Sequence, residues 1–527
     1  MAMAEHIKRI REMNGLSQEK FAETVGVSRQ AVQKWESGAS LPEIANITVI
    51  AKRFSISADA LLFGSDERLV DELTYDKKLQ PKYETLHPYE SYSGHLCLEY
   101  RQSCDEGRDL SGYEELFRQV EKMPAGEYKE QMSDVLFQLS LAAPRRADYP
   151  YVEPSDWDGI IQQAAKDQPR IARPAKEEMR RRLRGAWYGR IAGCLLGKPV
   201  EGISSKELHA ILKHSGNMPM HRYIRSEDIT QEMIDAFEYR LEGRCYADRV
   251  DCAPTDDDTN YTVLAYELIK RYGKDFTPYD VSRLWMDMQP KNAYCTAERV
   301  AFVNFVKGFT PPDSAVYKNV YREYIGAQIR GDYFGYVNPG DPVKAAEMAF
   351  RDASISHIKN GIYGEMFVAG MLAMAAVNDN IEEILRAGLN VIPQKSRLVE
   401  SVERVIAWYH AGDAAETVFA RIHEEWNEKN GFDWCHTISN AMIVAAALLY
   451  GGGDYGKSIC MAVETGFDTD CNGATVGSII GMAKGIDAIA PEWLAPIQGK
   501  LKTTLFGVDI VSVDEMAERT LLQIEQE

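Results

Sequence analysis

Apolar residues recur along most of this chain at the spacing of an α-helix, whereas the strict apolar–polar alternation of a β-strand is scarce. The clearest cases are residues 361–376 and 437–450, which are nearly all apolar with small residues interleaved. Such segments are typical of helices buried on most sides. Shorter helical periods cover residues 111–122 and 127–141. The pattern therefore predicts an all-α protein.

Residues 1–66 have the pattern of a small helical domain that contains a helix-turn-helix. Ala22 is small enough for two helices to cross closely, Gly26 tolerates the dihedral angles of the turn, and Ser28 can cap the helix that follows. That helix would bury Trp35 and leave its polar side chains outside. We favour a DNA-binding domain, because exposed Arg and Gln side chains are suited to reading base edges. The alternative is a helical module that binds another protein.

The same stretch resembles the phage-repressor (Cro-type) helix-turn-helix family over nearly its full length, including its close at Trp35-Glu36-Ser37-Gly38. The resemblance implies that residues 1–66 bind operator DNA through Gln18, Ser28, Arg29, Gln30 and Lys34. In residues 1–64, eight Lys and Arg against seven Asp and Glu leave a net charge of only +1. Because phosphate contacts depend on positive charge, we expect a homodimer to supply the affinity that one copy lacks.

Residues 67–176 contain no motif that indicates a chemical activity. In the first part of this segment, apolar residues recur at helical spacing; Pro144, Pro150 and Pro154 follow, with aromatic residues nearby. This order predicts a helical spacer and then a semi-extended linker. A contact surface between subunits is the alternative. The third predicted domain covers residues 177–527.

Two rows of glycines, each spaced by four residues, mark helices in this third domain. The rows are Gly185, Gly189, Gly193, Gly197 and Gly473, Gly477, Gly481, Gly485. Spacing by four places each row on one face of a helix, where backbones can approach closely. Because each helical glycine costs about 1 kcal/mol relative to alanine, the rows predict tight packing.

Two short acidic runs, residues 255–259 and 466–471, come just before apolar segments with helical spacing. One such run is usually only a favourable charge at the positive end of a helix dipole. Two runs brought together would repel each other strongly unless a cation lay between them. An all-oxygen pocket of this kind suits Mg²⁺ or Mn²⁺. The runs therefore predict a metal-dependent hydrolase.

The overall composition narrows the possible functions further. A net charge of −19 over 527 residues argues against a protein that coats nucleic acid generally. The apolar runs are too short to span a membrane, and the nine cysteines include no C-x-x-C pair for a thiolate zinc site. We therefore expect a cytoplasmic protein with no membrane partner.

Residues 180–510 resemble the ADP-ribosylglycohydrolase family, also called DraG-like hydrolases. The motifs that carry the resemblance are residues 193–201, Asp257-Asp258-Thr259, Ser356-His357 and residues 466–470. The resemblance implies a large orthogonal α-helical domain with two divalent metal ions, Mg²⁺ or Mn²⁺. The implied metal ligands are Asp256, Asp257, Asp258, Asp468 and Asp470. Two positions depart from the family pattern, because Asp256 and Cys471 stand where threonine ligands are usual, and thiolate is a poor partner for Mg²⁺.

By the same resemblance, the expected catalytic residues are Glu201, Asp257 and Asp470. Glu201 would transfer a proton or gate the site; the alternative is an ordinary exposed glutamate. His357 would line the substrate cleft; the alternative is a buried histidine of the core. Residues 331–341 are rich in turn residues and aromatics, and predict a substrate loop with Asp332 and Asn338 as contacts. The alternative for this loop is an ordinary surface loop.

Two functions from different classes follow from these features. The first is a hydrolase that removes ADP-ribose or a related ribosyl group from an ADP-ribosylated protein or from a small ADP-ribosyl or ribosyl compound. The second is a transcriptional regulator whose C-terminal domain senses an ADP-ribose-like ligand. A full set of metal carboxylates favours the enzyme, because a sensor need not keep them.

Overall fold

The computed structural model describes residues 2–56, 60–61, 81–165 and 170–525. The chain divides into two compact units, Met1–Tyr83 and Glu84–Glu527. Within the described ranges the secondary structure comprises 26 α-helices, several short 3-10 helices and one two-stranded sheet. The prediction of an all-α protein is confirmed.

The N-terminal unit is a helix-turn-helix bundle, whose described α-helices are α1 (Ala2–Met13), α2 (Gln18–Val25), α3 (Arg29–Glu36) and α4 (Ile44–Arg53). Gly26 ends α2 in the left-handed conformation, with φ of 79°, which glycine adopts without the steric cost of a side chain. The Ser28 hydroxyl accepts a hydrogen bond from an amide in the first turn of α3 and caps that helix. Phe21, Val32 and Trp35 lie in the buried core of the bundle.

The second unit begins with residues 84–165, which carry α5 (Leu96–Asp105), α6 (Glu114–Glu121), α7 (Glu127–Ala142) and α8 (Trp157–Gln163). Its next helices are α9 (Lys176–Gly197), α10 (Ser205–His214), α11 (Gln231–Ala236), α12 (Asp257–Tyr272), α13 (Pro278–Met288), α14 (Thr296–Val306), α15 (Asp313–Val316), α16 (Asp332–Tyr336) and α17 (Pro342–Ala353).

The remaining helices are α18 (Asn360–Ala375), α19 (Ile381–Asn390), α20 (Arg397–His410), α21 (Ala415–Glu425), α22 (Thr437–Gly451), α23 (Tyr455–Glu464), α24 (Thr469–Lys484), α25 (Pro491–Leu494) and α26 (Val513–Glu525). Strands β1 (Lys500–Leu505) and β2 (Val508–Ser512) form an antiparallel hairpin in which Lys500 pairs with Ser512. Among the described residues, no helix combines the length and the apolar character needed to cross a membrane.

Helices α9 and α24 pack closely at the centre of the second unit, and the two predicted glycine rows face each other across this contact. A Cβ atom added to Gly185, Gly189 or Gly193 would lie less than 3.0 Å from the backbone of α24, closer than real Cβ atoms approach. The same holds toward α9 for Gly473, Gly477 and Gly481. Glycine is required at these positions because backbone meets backbone with no room for a methyl group.

Residues 84–165 are fixed to the rest of the second unit by ion pairs with little exposure to solvent. Arg322 contacts Glu99 at 2.9 Å and Glu106 at 2.6 Å, and Arg397 contacts Glu153 at 2.9 Å. Breaking a buried pair leaves an uncompensated charge, so these contacts hold the segment in one place. The predicted domain boundaries at residues 67 and 176 stay a prediction. The described residues from 84 to 165 belong to the same compact unit as the helices that follow them.

Candidate metal centre and substrate cleft

The two acidic runs lie at the starts of α12 and α24. Asp256 immediately precedes α12, and its Oδ1 atom accepts a hydrogen bond from the Asp258 amide at 2.9 Å. Asp468 immediately precedes α24, and its own amide donates to the Asn440 side-chain oxygen at 3.4 Å. Carboxylates at helix N-termini are stabilised by the helix dipole. Asp256 therefore caps its helix through its side chain, whereas Asp468 begins α24 without a side-chain capping bond. The chemistry of the runs depends on how they meet.

The packing of α9 on α24 brings further functional groups to the runs. At the end of α9 the Thr469 hydroxyl donates a hydrogen bond to the Gly197 carbonyl at 2.9 Å, which joins this end to the start of α24. Lys198 and Glu201 follow α9 directly in the chain. The Lys198 ammonium group forms an ion pair with Asp256. The close glycine contact thus sets the position of one acidic run, one cation and one further acid.

The two runs form a single cluster. Three overlapping groups each have ligand atoms within 4.8 Å of one another: Asp256 with Asp257 and Asp258; Asp258 with Asp470 and Cys471; and Glu201 with Asp468 and Asp470. Asp258 and Asp470 therefore connect the first run to the second. The carboxylates Glu201, Asp256, Asp257, Asp258, Asp468 and Asp470 are called the acidic cluster below.

Two oxygens of the acidic cluster lack a protein partner among the described residues. They are Oδ1 of Asp468 and Oδ1 of Asp470, and both are buried. An unsatisfied buried acceptor costs about 1–3 kcal/mol, and more when it is charged. A hard divalent cation would satisfy both oxygens, since carboxylates are its preferred ligands. The residues present therefore fit a divalent metal site.

The electrostatics of the cluster point the same way. The pKa of Asp257 is raised mainly by burial and next by the charge of Asp256. The pKa of Asp470 is likewise raised mainly by burial and next by the charge of Glu201. Glu201 keeps surface open to solvent, but the enclosure of its carboxyl group, followed by the charge of Asp468, also raises its pKa. These shifts mean that the charged forms repel one another when no cation is present.

The two residues that depart from the family pattern behave differently from the rest. Although burial opposes it, the Lys198 ammonium group lowers the pKa of Asp256, so this carboxylate already has a cation partner. Burial raises the pKa of the Cys471 thiol well above its usual value. The thiol donates a weak hydrogen bond to Oδ2 of Asp258 at 3.2 Å. Cys471 is therefore suited to orienting Asp258 and not to binding Mg²⁺ as a thiolate.

Arg190, a buried residue of α9, forms an ion pair with the acidic cluster, and the sequence analysis did not identify it. Its guanidinium group contacts Oδ1 of Asp258 at 3.2 Å and Oδ2 of Asp332 at 2.9 Å. Asp332 is fully buried and is not among the residues that line the cavity beside the acidic cluster, so its role as a substrate contact stays a prediction. The available signal was a single charged residue between Gly189 and Gly193, in a helical segment that is otherwise apolar or small, since a buried arginine needs an anionic partner.

The predicted substrate loop, residues 331–341, is partly helical, and its role in substrate binding stays a prediction. Residues 332–336 form α16, and the side chains of Tyr333 and Tyr336 are fully buried. Asn338 lies outside the cleft, where its side-chain amide donates to the Phe334 carbonyl at 2.8 Å. The glycines of this stretch serve close packing: a Cβ on Gly335 would meet the backbone of α18 at 2.8 Å.

His357 is fully buried and does not line the cleft. The Ser356 hydroxyl lies 2.9 Å from its Nδ1 atom, and its Nε2 atom lies 3.9 Å from Glu298. Burial, followed by the charge of Arg330, lowers the pKa of His357 well below its usual value. The lowered pKa favours the neutral ring, and Glu298, which lies beside His357, lines the cavity.

A cavity of about 380 Å³ opens onto the acidic cluster. Its acidic side includes Glu201, Asp257, Asp468 and Asp470, and its other residues include Tyr321, Tyr324 and Trp434. Residues 84–165 also contribute to its wall, through Tyr89, His95 and Leu98. Such a volume is at the lower end of the range for small-molecule sites.

In the N-terminal unit, the residues expected to contact DNA lie on and beside α3. Arg29, Gln30 and Lys34 are exposed, while Ser28 is the cap of the helix. The Gln18 side chain donates a hydrogen bond to Glu36 at 2.8 Å. The three exposed side chains are available to a ligand, whereas Ser28 and Gln18 already have structural partners.

An all-α unit built around buried carboxylates, joined to a helix-turn-helix unit, defines the class of this protein. A family model described as ADP-ribosylglycohydrolase matches residues 175–526, and the chain belongs to this family. A second family model, described as helix-turn-helix, matches residues 7–61 and marks a DNA-binding domain. Both resemblances predicted from the sequence are confirmed.

The similar proteins cover different parts of the chain. The solved structure of an ADP-ribosylglycohydrolase-related protein complex covers 66% of this chain and 99% of its own, at 19% identity and a TM-score of 0.41. The HTH-type transcriptional activator BcrR of Enterococcus faecalis is 39% identical over 66 residues, which are 12% of this chain and 32% of that activator. The uncharacterized HTH-type transcriptional regulator YgzD of Bacillus subtilis (strain 168) is 37% identical over 65 residues, 12% of this chain and 98% of that regulator. This chain therefore spans about a third of BcrR's length.

Proposed function

We propose that this chain is a divalent-metal-dependent hydrolase that cleaves the glycosidic bond of ADP-ribosyl or related ribosyl conjugates. The conjugate is an ADP-ribosylated protein or a small compound. The observation that carries the proposal is the acidic cluster, which has unpaired buried oxygens and opens onto a cleft in a chain of the ADP-ribosylglycohydrolase family.

The proposed ligands of two ions, Mg²⁺ or Mn²⁺, are Asp256, Asp257, Asp258, Asp468 and Asp470. When bound, such ions lower the pKa of a bound water and orient the ribose hydroxyls. The Lys198 ion pair offsets part of the negative charge of the cluster while the site is free of metal. Arg190 and Cys471 hold Asp258 in a fixed orientation.

Glu201 is the proposed proton-transfer residue, with Asp257 and Asp470 as the other catalytic carboxylates. Its raised pKa allows the carboxyl group to hold a proton nearer neutral pH, so that it can protonate the leaving group. The negative charges around it favour the positive, oxocarbenium-like transition state of glycoside cleavage. Glu201 combines access to the cleft with contact to the cluster, as this role requires.

The hydrolase proposal is tested by incubating the chain with ADP-ribosyl-arginine, ADP-ribosyl-serine and related ribosides, with and without Mg²⁺ or Mn²⁺. We expect metal-dependent release of the ribosyl product that is lost in Asp257→Asn and Asp470→Asn. The matched control is Asp251→Asn, an exposed aspartate just before the first run. Release that persists without metal, or in both cluster variants, would contradict the proposal.

The N-terminal unit is proposed to bind operator DNA as a homodimer through the exposed face of α3, with Arg29, Gln30 and Lys34 reading base edges. Gln30→Ala should relax sequence preference, whereas Lys52→Ala, on α4, should leave it unchanged. Selection from a random DNA library measures both. A preference that is the same in Gln30→Ala as in the parent chain would contradict this role.

A second candidate function is a regulator whose DNA binding responds to an ADP-ribose-like ligand. It is favoured by one observation: Tyr89 lines the cleft, and it follows soon after Tyr83, the last residue of the N-terminal unit. If this function holds, ADP-ribose should change the affinity for selected DNA in a Glu201→Gln variant that does not turn over substrate. DNA affinity that is independent of ADP-ribose would exclude it.

A further inference from the structure

One wall of the cleft is built by residues outside the part of the chain that matches the ADP-ribosylglycohydrolase family. That match begins at residue 175, whereas Tyr89, His95 and Leu98 line the same cavity as Glu201 and Asp257. We propose that Tyr89 is a specificity-determining residue that contacts a planar group of the ribosyl substrate, and that residues 84–165 form a substrate wall. This inference rests on the proposed function for the identity of the ligand.

Tyr89 and the acidic cluster share one cavity. Tyr89 is half-buried and lines the same cavity as Glu201, Asp257, Asp468 and Asp470. Burial also raises the pKa of its hydroxyl, with smaller contributions from neighbouring groups that include Glu201 and Asp257. In a ribosyl compound whose ribose is bound at the acidic cluster, the group attached to that ribose would therefore contact Tyr89.

The surroundings of Tyr89 indicate the kind of group that this wall would recognise. Tyr89 packs on Tyr321 at 5.8 Å with an interplanar angle of 82°, and His95 packs on Tyr321 at 5.7 Å. The Tyr321 hydroxyl is buried without a hydrogen-bond partner in the described part of the chain. The described lining of the cavity contains no Lys or Arg. Aromatic surface with neutral hydroxyl groups suits a planar, hydrogen-bonding group, because aromatic rings stack well on such groups.

Tyr89 is held in place by its neighbour in the chain. Glu90 pairs with both Arg299 and Lys291 at 2.7 Å. Arg299 is buried and belongs to α14, whose first residue, Thr296, also lines the cavity. The segment is thus anchored to the cleft beside the contact residue, which is what a preorganised substrate wall requires.

The test compares two ligands by calorimetry on the full chain in the presence of Mg²⁺. ADP-ribose carries a planar base, whereas ribose 5-phosphate has none. We expect Tyr89→Ala to weaken ADP-ribose binding about tenfold or more and to leave ribose 5-phosphate binding nearly unchanged. Tyr89→Phe, which keeps the ring, should retain part of the affinity and guards against a folding defect in the alanine variant. Tyr128→Ala, 65% exposed on the same segment, is the control.

Three results would overturn the inference. They are unchanged ADP-ribose affinity in Tyr89→Ala, an equal loss for both ligands, and a parent chain that binds neither ligand. A failure of the proposed hydrolase function looks different, because ADP-ribose would then bind with the expected dependence on Tyr89 while no ribosyl conjugate is hydrolysed.

Discussion

The contact between α9 and α24 makes a specific prediction for Gly193→Ala. The added methyl group would lie less than 3.0 Å from the backbone of Gly473, which cannot rotate away as a side chain could. Helix propensity alone favours alanine by about 1 kcal/mol. Overpacking of a filled core costs about 1–3 kcal/mol, and the upper end applies where backbone meets backbone. We therefore expect a net loss of about 2 kcal/mol of unfolding free energy.

The loss should come with a change at the acidic cluster, because separating the two helices moves the start of α24 away from the end of α9. Gly473→Ala places its methyl group against Gly193 in the same contact, so the two substitutions should not add. Once one methyl group has separated the helices, the second should cost less than it does alone.

Urea unfolding followed by far-UV circular dichroism measures these free energies, and it reports mainly on the larger unit, which holds most of the helices. Gly431→Ala is the control, because a Cβ there has no neighbour within 4 Å. The reasoning would be refuted if Gly193→Ala were as stable as the parent chain. It would also be refuted if the variant were more stable by about 1 kcal/mol, the gain that helix propensity alone would give.

Three further predictions concern other parts of the chain. Arg397→Ala should lower the unfolding free energy by about 3–5 kcal/mol, because it leaves buried carboxylates unpaired. Arg386 is exposed, so Arg386→Ala should lower the unfolding free energy little in the same urea titration. Similar losses for the two variants would contradict this account. Trp35→Ala should unfold the N-terminal unit and expose it to limited proteolysis, whereas exposed Arg29→Ala should stay protected. The low pKa of buried His357 means that the unfolded chain binds more protons below about pH 6.5, so stability should fall as the pH drops through this value. His357→Gln should flatten that slope in urea titrations at several pH values, and an unchanged slope would exclude His357 as its source.

The features that could be predicted from the sequence were those with strong local signals. Asp256 and Asp468 precede helices because carboxylates favour helix N-termini, and glycines spaced by four have few explanations other than close helix packing. The glycine rows predicted close helix packing, and that packing joins the end of α9 to the start of α24. The meeting of the two runs was a separate hypothesis, based on charge repulsion and on the family resemblance.

The features that the sequence could not supply depend on contacts between distant segments. Gly331 and Gly335 resemble turn residues locally, but they lie in a buried stretch where backbone approaches α18. Tyr89 stands in a stretch with no motif, and its place in the cleft follows from packing against Tyr321. Arg190 gave a weak signal, but its partners Asp258 and Asp332 could be identified only from the fold.

The central claim is that the two acidic runs together hold divalent cations, and thermal unfolding of Asp470→Asn with and without Mg²⁺ or Mn²⁺ tests it most directly. Without metal, the variant should be more stable than the parent chain, because asparagine removes a carboxyl group whose ionised form is disfavoured by burial and by Glu201. Metal should stabilise the parent chain, by about 2.7 kcal/mol at a hundredfold excess over Kd, and the variant much less. A variant that is less stable without metal, and yet gains as much from metal as the parent chain, would contradict the account.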